Sequence, residues 1–403
     1  MSGTASRNPH IIGLTGSFGS GCTYVAREIL LRNGYRFLSL SDTLREEYSK
    51  SGRGQGDEAS RHDLQAFGDE LRGEHGGQYL ATRVCEQISS EFDATSSQKW
   101  VLDSIRNPHE VHFLRQFSAD FFLFGVYATK DRRWQRSHPM YEGNQREFDE
   151  DDERDTGRRS EPVGQRVEDC FVEADVVFSN DKQFEVVGNE SFGAFKRKVE
   201  GYVDLCCNPL SRRQPTIAES LMAVAYALSQ RSSCLQRKVG AVIVDEEGNV
   251  ISSGFNEVPR EDRPCVEVYR KCRRRKDWER FQNLLQETLP ESRENHQKFL
   301  ERVRREFRML DHCRALHAEE NAIVNLARYG RSVSLDKCEL YCTTYPCRLC
   351  ANKIVNLGIS RVVYCEPYPD EESKAILKAG NVDDDFFEGI TFKAYSRIYG
   401  ERK

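Results

Sequence analysis

In the first half of the chain, short apolar runs alternate with stretches whose apolar residues recur every three to four positions. Ile11 to Leu14 is one such run; a glycine-rich turn, Gly16 to Gly21, closes it, and a helix-compatible stretch follows from Thr23 to Leu31. Further apolar runs at Trp100–Leu102, Phe121–Tyr127 and Asp175–Phe178 alternate with helical patterns. Runs this uniformly apolar suit strands buried on both faces, so the pattern predicts a parallel sheet covered by helices. We place this α/β domain at residues 1–205. Inside it, Phe148–Asp155 is an acidic run and Thr156–Arg159 a basic one, which charge-block reasoning predicts to be a solvated, mobile loop.

A second α/β pattern occupies residues 206–403. Ile217–Ser229 has the apolar stripe of a helix, Val239–Val244 reads as a strand, and Glu246–Asn249 is a turn leading into a returning strand at Val250–Gly254. From about 266 to 311 the sequence becomes charged and helical with little strand character, as an insertion would. Beyond it the pattern predicts a helix carrying His317 to Tyr329, a strand at Glu339–Thr343, a helix over Cys347–Leu357 and a strand at Arg361–Tyr364.

With 403 residues, the chain can bury two cores of ordinary size. Charged residues make up 31% and the formal net charge is -5, which excludes the global basic field of a non-specific nucleic-acid binder. No apolar stretch is long enough to span a membrane, and Met1–His10 has no apolar signal region, so a cytoplasmic protein with no membrane partner is expected. In that compartment the 14 cysteines are not a disulfide framework. Eleven of them lie from Cys206 onward, which turns attention to metal ligation in the second half.

Two helix starts there carry the chemistry. His317-Ala318-Glu319 opens one, and Pro346-Cys347-Arg348-Leu349-Cys350 opens the next. One imidazole and two thiolates, His317, Cys347 and Cys350, suit a catalytic Zn2+ that keeps an open position for water. Helix N-termini favour the thiolates. Glu319 is not a ligand in this reading but the carboxylate that carries the proton. A lone Cys-x-x-Cys is equally a redox pair or half of a structural zinc site; the two segments together are far more specific.

This pairing resembles the H-x-E and P-C-x-x-C signature of zinc deaminases. From about Thr216 onward the chain is similar to the deoxycytidylate deaminases, also in Lys238-Val239-Gly240-Ala241-Val242-Ile243 and Gly254-Phe255-Asn256. The resemblance implies a three-layer α/β/α domain with a cytidine-deaminase-type sheet and a helical insertion. It further implies a deoxycytidine nucleotide substrate, contacted by Asn256 on its sugar and phosphate side, with Tyr364 near the pocket wall and Lys238 as a further substrate-binding residue. A homo-oligomer is expected. Cys265, Cys272, His312 and Cys313 flank the insertion and are either a second, structural zinc site, as the resembled family sometimes carries, or ordinary thiols and an ordinary imidazole.

The first domain resembles dephospho-coenzyme A kinases and nucleoside monophosphate kinases in Ile12-Gly13-Leu14-Thr15, in the loop Gly16 to Thr23, and in Ala174 to Asn180. Gly16, Gly19, Gly21 and Thr23 fit a P-loop that holds a nucleotide, with Mg2+ on Thr23, but Cys22 stands where that loop has lysine. Without that charge, binding is expected and phosphoryl transfer is not. Asp103, Arg132, Arg133 and Arg136 are natural metal or phosphate contacts. The two domains together resemble the bacterial antiphage deoxycytidine deaminases, which implies depletion of deoxycytidine nucleotides under control of a nucleotide or RNA regulator. A polynucleotide cytosine or adenine deaminase, for which Arg270–Lys276 is the candidate basic surface, and a bifunctional kinase-deaminase are the alternatives.

Overall fold

The computed structural model describes residues 8–55, 58–92, 98–156, 164–181, 190–211, 213–288, 299–300, 303, 313–329, 334–367 and 371–400. The chain forms two compact units, Met1–Pro215 joined by Glu388–Lys403, and Thr216–Phe387.

In the first unit, β1 (His10–Thr15), β2 (Arg36–Ser39), β3 (Lys99–Asp103), β4 (Phe121–Tyr127), β5 (Val176–Ser179) and β11 (Gly389–Ile390) form one sheet. The order is β11-β5-β4-β1-β3-β2, parallel throughout except for the β11 edge. All six residues of β1 are buried, as the unbroken apolar runs require. Helix α1 (Cys22–Val25), continued to Leu30, packs Val25, Ala26, Ile29 and Leu30 into the core on Ile12, Leu14 and Phe124. Helices α2 (Leu40–Lys50), α3 (Arg61–His75), α4 (Lys130–Ser137), α5 (Gln145–Thr156) and α6 (Glu190–Cys207) follow.

Two expectations fail in this unit. The acidic run predicted as a solvated loop is helix α5, with Phe148 and Asp155 fully buried and Asp151 and Asp152 nearly so. Arginines distant in sequence neutralise it: Arg133 pairs with Asp152, Arg106 with Asp155, and Arg61 faces Asp151 and Asp155. The C-terminal segment expected in the second domain instead belongs to the first. Gly389–Ile390 pairs antiparallel with β5, and α13 (Phe392–Tyr399) buries Ala394 and Ile398 in the same core as β4. Position 205, the expected boundary, lies within α6, and the units part after Pro215.

The second unit is built on β6 (Gly240–Val244), β7 (Val250–Phe255), β8 (Glu339–Thr344), β9 (Arg361–Glu366) and β10 (Asp383–Phe386) in the order β10-β9-β8-β6-β7. The pairs β6–β7 and β6–β8 are antiparallel, β8–β9 and β9–β10 parallel. Its helices are α7 (Ile217–Ser229), α8 (Cys265–Tyr269), α9 (Arg273–Thr288), α10 (Ala318–Tyr329), α11 (Arg348–Leu357) and α12 (Glu371–Ala379). Thr216 and Glu219 close a capping box on α7, which fixes where that helix begins.

Two glycines set the layers. A Cβ on Gly240 would lie 1.9 Å from the Ala225 carbonyl oxygen of α7, and one on Gly254 would lie 2.4 Å from Ala318 and Ala322 backbone atoms of α10. Gly254 pairs with Ala241, so its face of the sheet is the one opposite to Gly240's. The helices α7 and α10 therefore cover opposite faces, giving the expected helix–sheet–helix layering.

Candidate active site

Helix α10 is locked onto β7 by more than close packing. Ser252 donates to the Ala322 carbonyl at 2.6 Å, while the Asn321 and Asn325 amides donate to the Phe255 and Ser253 carbonyls at 2.8 and 2.9 Å. Just ahead of the helix, Leu316 and Glu257 exchange backbone hydrogen bonds. His317 is thereby held at the helix start. On the neighbouring element, β8 ends at Thr344, Cys347 is the residue preceding α11, and Cys350 lies in its first turn.

These two starts converge. His317 Nδ1 lies 3.3 Å from the Cys347 sulfur and 3.4 Å from the Cys350 sulfur. A tetrahedral zinc with Zn–N of about 2.0 Å and Zn–S of about 2.3 Å would set each N···S separation near ~3.5 Å, so the donor set fits the ion. Among the described residues this is the only group of three or more potential ligands gathered within 4.8 Å. Hydrogen bonding from the Cys350 thiol, aided by His317, holds Cys347 well below the ordinary thiol range despite its burial.

Glu319 is 3% exposed. Burial pushes its carboxyl up to about 7, with His317 opposing and Cys347 adding to the rise. A carboxyl so poised takes and returns protons near neutral pH.

Pattern reading missed the adjacent clamp. Glu320 accepts from the His317 backbone N–H at 3.3 Å and from Lys353 of α11 at 2.7 Å, joining the two helices that carry the candidate ligands. The only sequence signal was a Glu one step past the motif and a Lys three past Cys350.

The expected substrate residues fare differently. The Asn256 side chain is buried and tied to backbone, accepting from Val239 N–H at 2.7 Å and donating to the Arg237 carbonyl at 2.9 Å. It fixes the loop leading into β6. Lys238 is exposed and reaches the Gln230 carbonyl at 3.4 Å. Tyr364 is in the core, edge-on to Tyr345 at 4.7 Å and to Phe386 at 5.9 Å. Buried Glu366, which the pattern did not mark, accepts from Tyr226 at 2.9 Å and from Thr344 at 3.0 Å.

Cys265, Cys272 and Cys313 line one cavity of about 30 Å³, joined there by Cys234, which sequence reasoning did not include. His312 lies outside the described residues. In the basic cluster, Lys271 pairs with Glu279, Arg273 with Asp277, and Arg273 and Lys276 stack on Tyr269, so much of its charge is answered within the unit.

In the first unit, Gly16 to Gly21 forms the loop between β1 and α1, and a cleft of about 490 Å³ opens against it. Gly19 and Gly21 have φ of 79° and 100°, which glycine alone adopts without strain. Thr23 donates to Asp103 at 2.6 Å. Arg136, which also lines the cleft, donates to the Gly19 and Ser20 carbonyls and Arg133 to that of Phe18, so these two hold the loop. Arg61 and Arg106, unmarked in the sequence, line the cleft.

Residues 215–366 match the family described as the cytidine and deoxycytidylate deaminase zinc-binding region. The chain is 35% identical over 189 residues to the deoxycytidylate deaminase of Saccharomyces cerevisiae, covering 47% of each chain. It is 32% identical over 160 residues to that of Enterobacteria phage T4, covering 38% of this chain and 78% of the phage protein. A UPF0200 protein of Methanothermobacter thermautotrophicus is 32% identical over 154 residues, 37% of this chain and 74% of that protein. The chain thus spans about half the length of the yeast relative it matches.

Proposed function

The chain belongs to the deoxycytidylate deaminase family, and from that premise we propose that its second unit hydrolyses the exocyclic amine of a free deoxycytidine nucleotide, dCMP or dCTP, releasing ammonia and the deoxyuridine product. The observation that carries this reading is the convergence of His317, Cys347 and Cys350 around one point, with buried Glu319 two residues from the imidazole. Zinc held by these three side chains supplies Lewis-acid activation of water at neutral pH. Glu319 accepts one proton from the attacking water and gives it to the ring nitrogen, then takes the second from the hydroxyl now on the ring carbon and gives it to the amine, so that ammonia leaves as the carbonyl forms. Its buried carboxyl, poised near neutrality, suits both transfers. Asn256 acts on the nucleotide through the Arg237–Val239 backbone that it fixes. Lys238, exposed at that loop, is a further candidate contact for the substrate.

The same proposal extends to the whole chain as a homo-oligomer that depletes deoxycytidine nucleotides in antiphage defence, with the first unit as its nucleotide-binding regulator. The likeness of the paired domains to such deaminases supports it. A second zinc is not part of this proposal: Cys265, Cys272 and Cys313 line one cavity with Cys234, but their sulfurs are not gathered within 4.8 Å as the His317, Cys347 and Cys350 donors are.

Purified full-length protein assayed on dCMP, dCTP and a cytosine-containing oligonucleotide tests the reading. Release of ammonia from a free nucleotide is expected. Faster turnover of the oligonucleotide would transfer the assignment to the polynucleotide alternative.

A further inference from the structure

The cleft of the first unit presents an electrostatic puzzle. Its glycine-rich loop lacks the usual lysine, since Cys22 stands there, and burial raises that thiol to about 12, so it supplies no charge. Two guanidinium groups from other elements face the same space. Arg106 follows β3 and lies close enough to Cys22 and Asp103 to interact with both electrostatically. Arg61, at the start of α3, stacks on the Phe18 ring of the loop at 3.7 Å.

Both cations face buried Asp155, and Arg61 also faces Asp151 at 3.7 Å. Asp155 of α5 accepts from the Phe18 backbone N–H at 2.9 Å and from Arg106, and lies 3.6 Å from Arg61. A loop amide and two guanidinium groups thus surround a single anionic group, an arrangement suited to a phosphate. Asp151, 3.7 Å from Arg61, and Asp103, beside Arg106, answer part of this positive charge. Burial and the nearby Arg106 charge both lower Arg61's affinity for its proton, and its buried Nε and Nη2 have no hydrogen-bond partner. Five arginines and two aspartates line the cleft, so it can take more negative charge than its own carboxylates offer.

We propose that this cleft binds the phosphate chain of a nucleoside triphosphate, with Arg61 and Arg106 in place of the missing lysine and Asp155 as the internal anion that the ligand displaces. The proposal rests on the reading of the first unit as nucleotide-binding and names the residues that decide it. The cleft lies at the carboxyl ends of β1 and β3, where the chain leaves β1 toward β2 on one side and crosses from β3 to β4 on the other; such crevices are where open parallel sheets take ligands. Its volume of about 490 Å³ is ample for a nucleotide. A terminal phosphate carries more charge and more acceptor oxygens than a carboxylate, so it can engage the Phe18 N–H and both guanidinium groups together. Because Asp155 is at the end of α5, its release couples occupancy of the cleft to the seating of that helix.

The test is equilibrium binding of a fluorescent ATP analogue, with magnesium, to full-length protein. Asp155→Asn removes the competing charge and should tighten binding by about tenfold or more, a gain that misfolding cannot produce. Arg61→Gln and Arg106→Gln should each weaken it about tenfold or more, as loss of a charge-assisted hydrogen bond does. Gly21→Val, whose Cβ would meet the Asn180 amide at 2.3 Å, tests the underlying reading by distorting the loop. If the wild type binds, Gly21→Val does not, and Asp155→Asn leaves affinity unchanged or weaker, the cleft binds nucleotide but the displacement proposal is wrong. If neither the wild type nor Asp155→Asn binds, both readings fall. Binding by Asp155→Asn alone supports the proposal.

Discussion

Replacing Gly254 with alanine adds one carbon far along the chain from the ligands, yet it should disable the site. The new Cβ would lie 2.4 Å from both the Ala318 oxygen and the Ala322 nitrogen, where ordinary contact begins at 3.4 Å. Helix α10 must therefore retreat by about 1 Å, because the obstructing atoms are backbone and cannot rotate away. Three side chains, Ser252, Asn321 and Asn325, bind α10 to β7 and resist that retreat. Overpacking of this kind costs about 1–3 kcal/mol. The functional cost is larger in proportion. His317 and Glu319 ride on the displaced end, and misplacing catalytic groups by about 1 Å lowers turnover about 10²-fold. The assay pairs steady-state deamination of dCMP and dCTP with thermal unfolding and metal content by atomic emission. Turnover within about threefold of wild type, with an unchanged unfolding midpoint, would refute the argument that this close approach positions the site.

Glu319→Gln should cut turnover at least about 10²-fold while retaining zinc, whereas Cys347→Ala should lose the metal; equal zinc loss in both variants would show that Glu319 is a ligand. Asn256→Ala should raise KM for the nucleotide by freeing the Arg237–Val239 loop, and an unchanged KM with an unchanged kcat would remove Asn256 from the site. In the first unit, burial opposes the charge on His10, but hydrogen bonds to Asp120 and Cys207 outweigh it and raise its pKa from 6.5 to about 9. A raised folded-state pKa stabilises below the unfolded value, so His10 should contribute about 3 kcal/mol below pH 6.5 that is lost as pH rises through about 9. Urea unfolding of wild type and His10→Gln across that range checks the sign: the gap between them should narrow as pH rises, and a constant gap would contradict it.

Much of the site was legible because its signals are local. Cys347 and Cys350 stand three apart at a helix start, and Glu319 stands two past His317, so the candidate ligand set and its carboxylate follow from spacing and side-chain chemistry. The strands were legible for a similar reason: β1 and β6 are buried on both faces, and unbroken apolar runs report that directly. The Glu320–Lys353 clamp was not legible, since it joins residues 33 apart on two helices that only the sheet brings together.

Tertiary structure alone decided the fate of the acidic run and of the C-terminus. Read locally, Phe148–Asp155 is a block of like charge that belongs in water; Arg61, Arg106 and Arg133 reverse that outcome, and nothing in the run's own composition announces them. Likewise a two-residue strand and an eight-residue helix after Glu388 carry no pattern that selects a sheet. Pairing of Gly389 with Val177 and burial of Ile398 make that choice. Periodicity reports which face of an element is apolar, whereas the identity of the partner depends on contacts between residues distant in sequence, and those exist only in the folded chain.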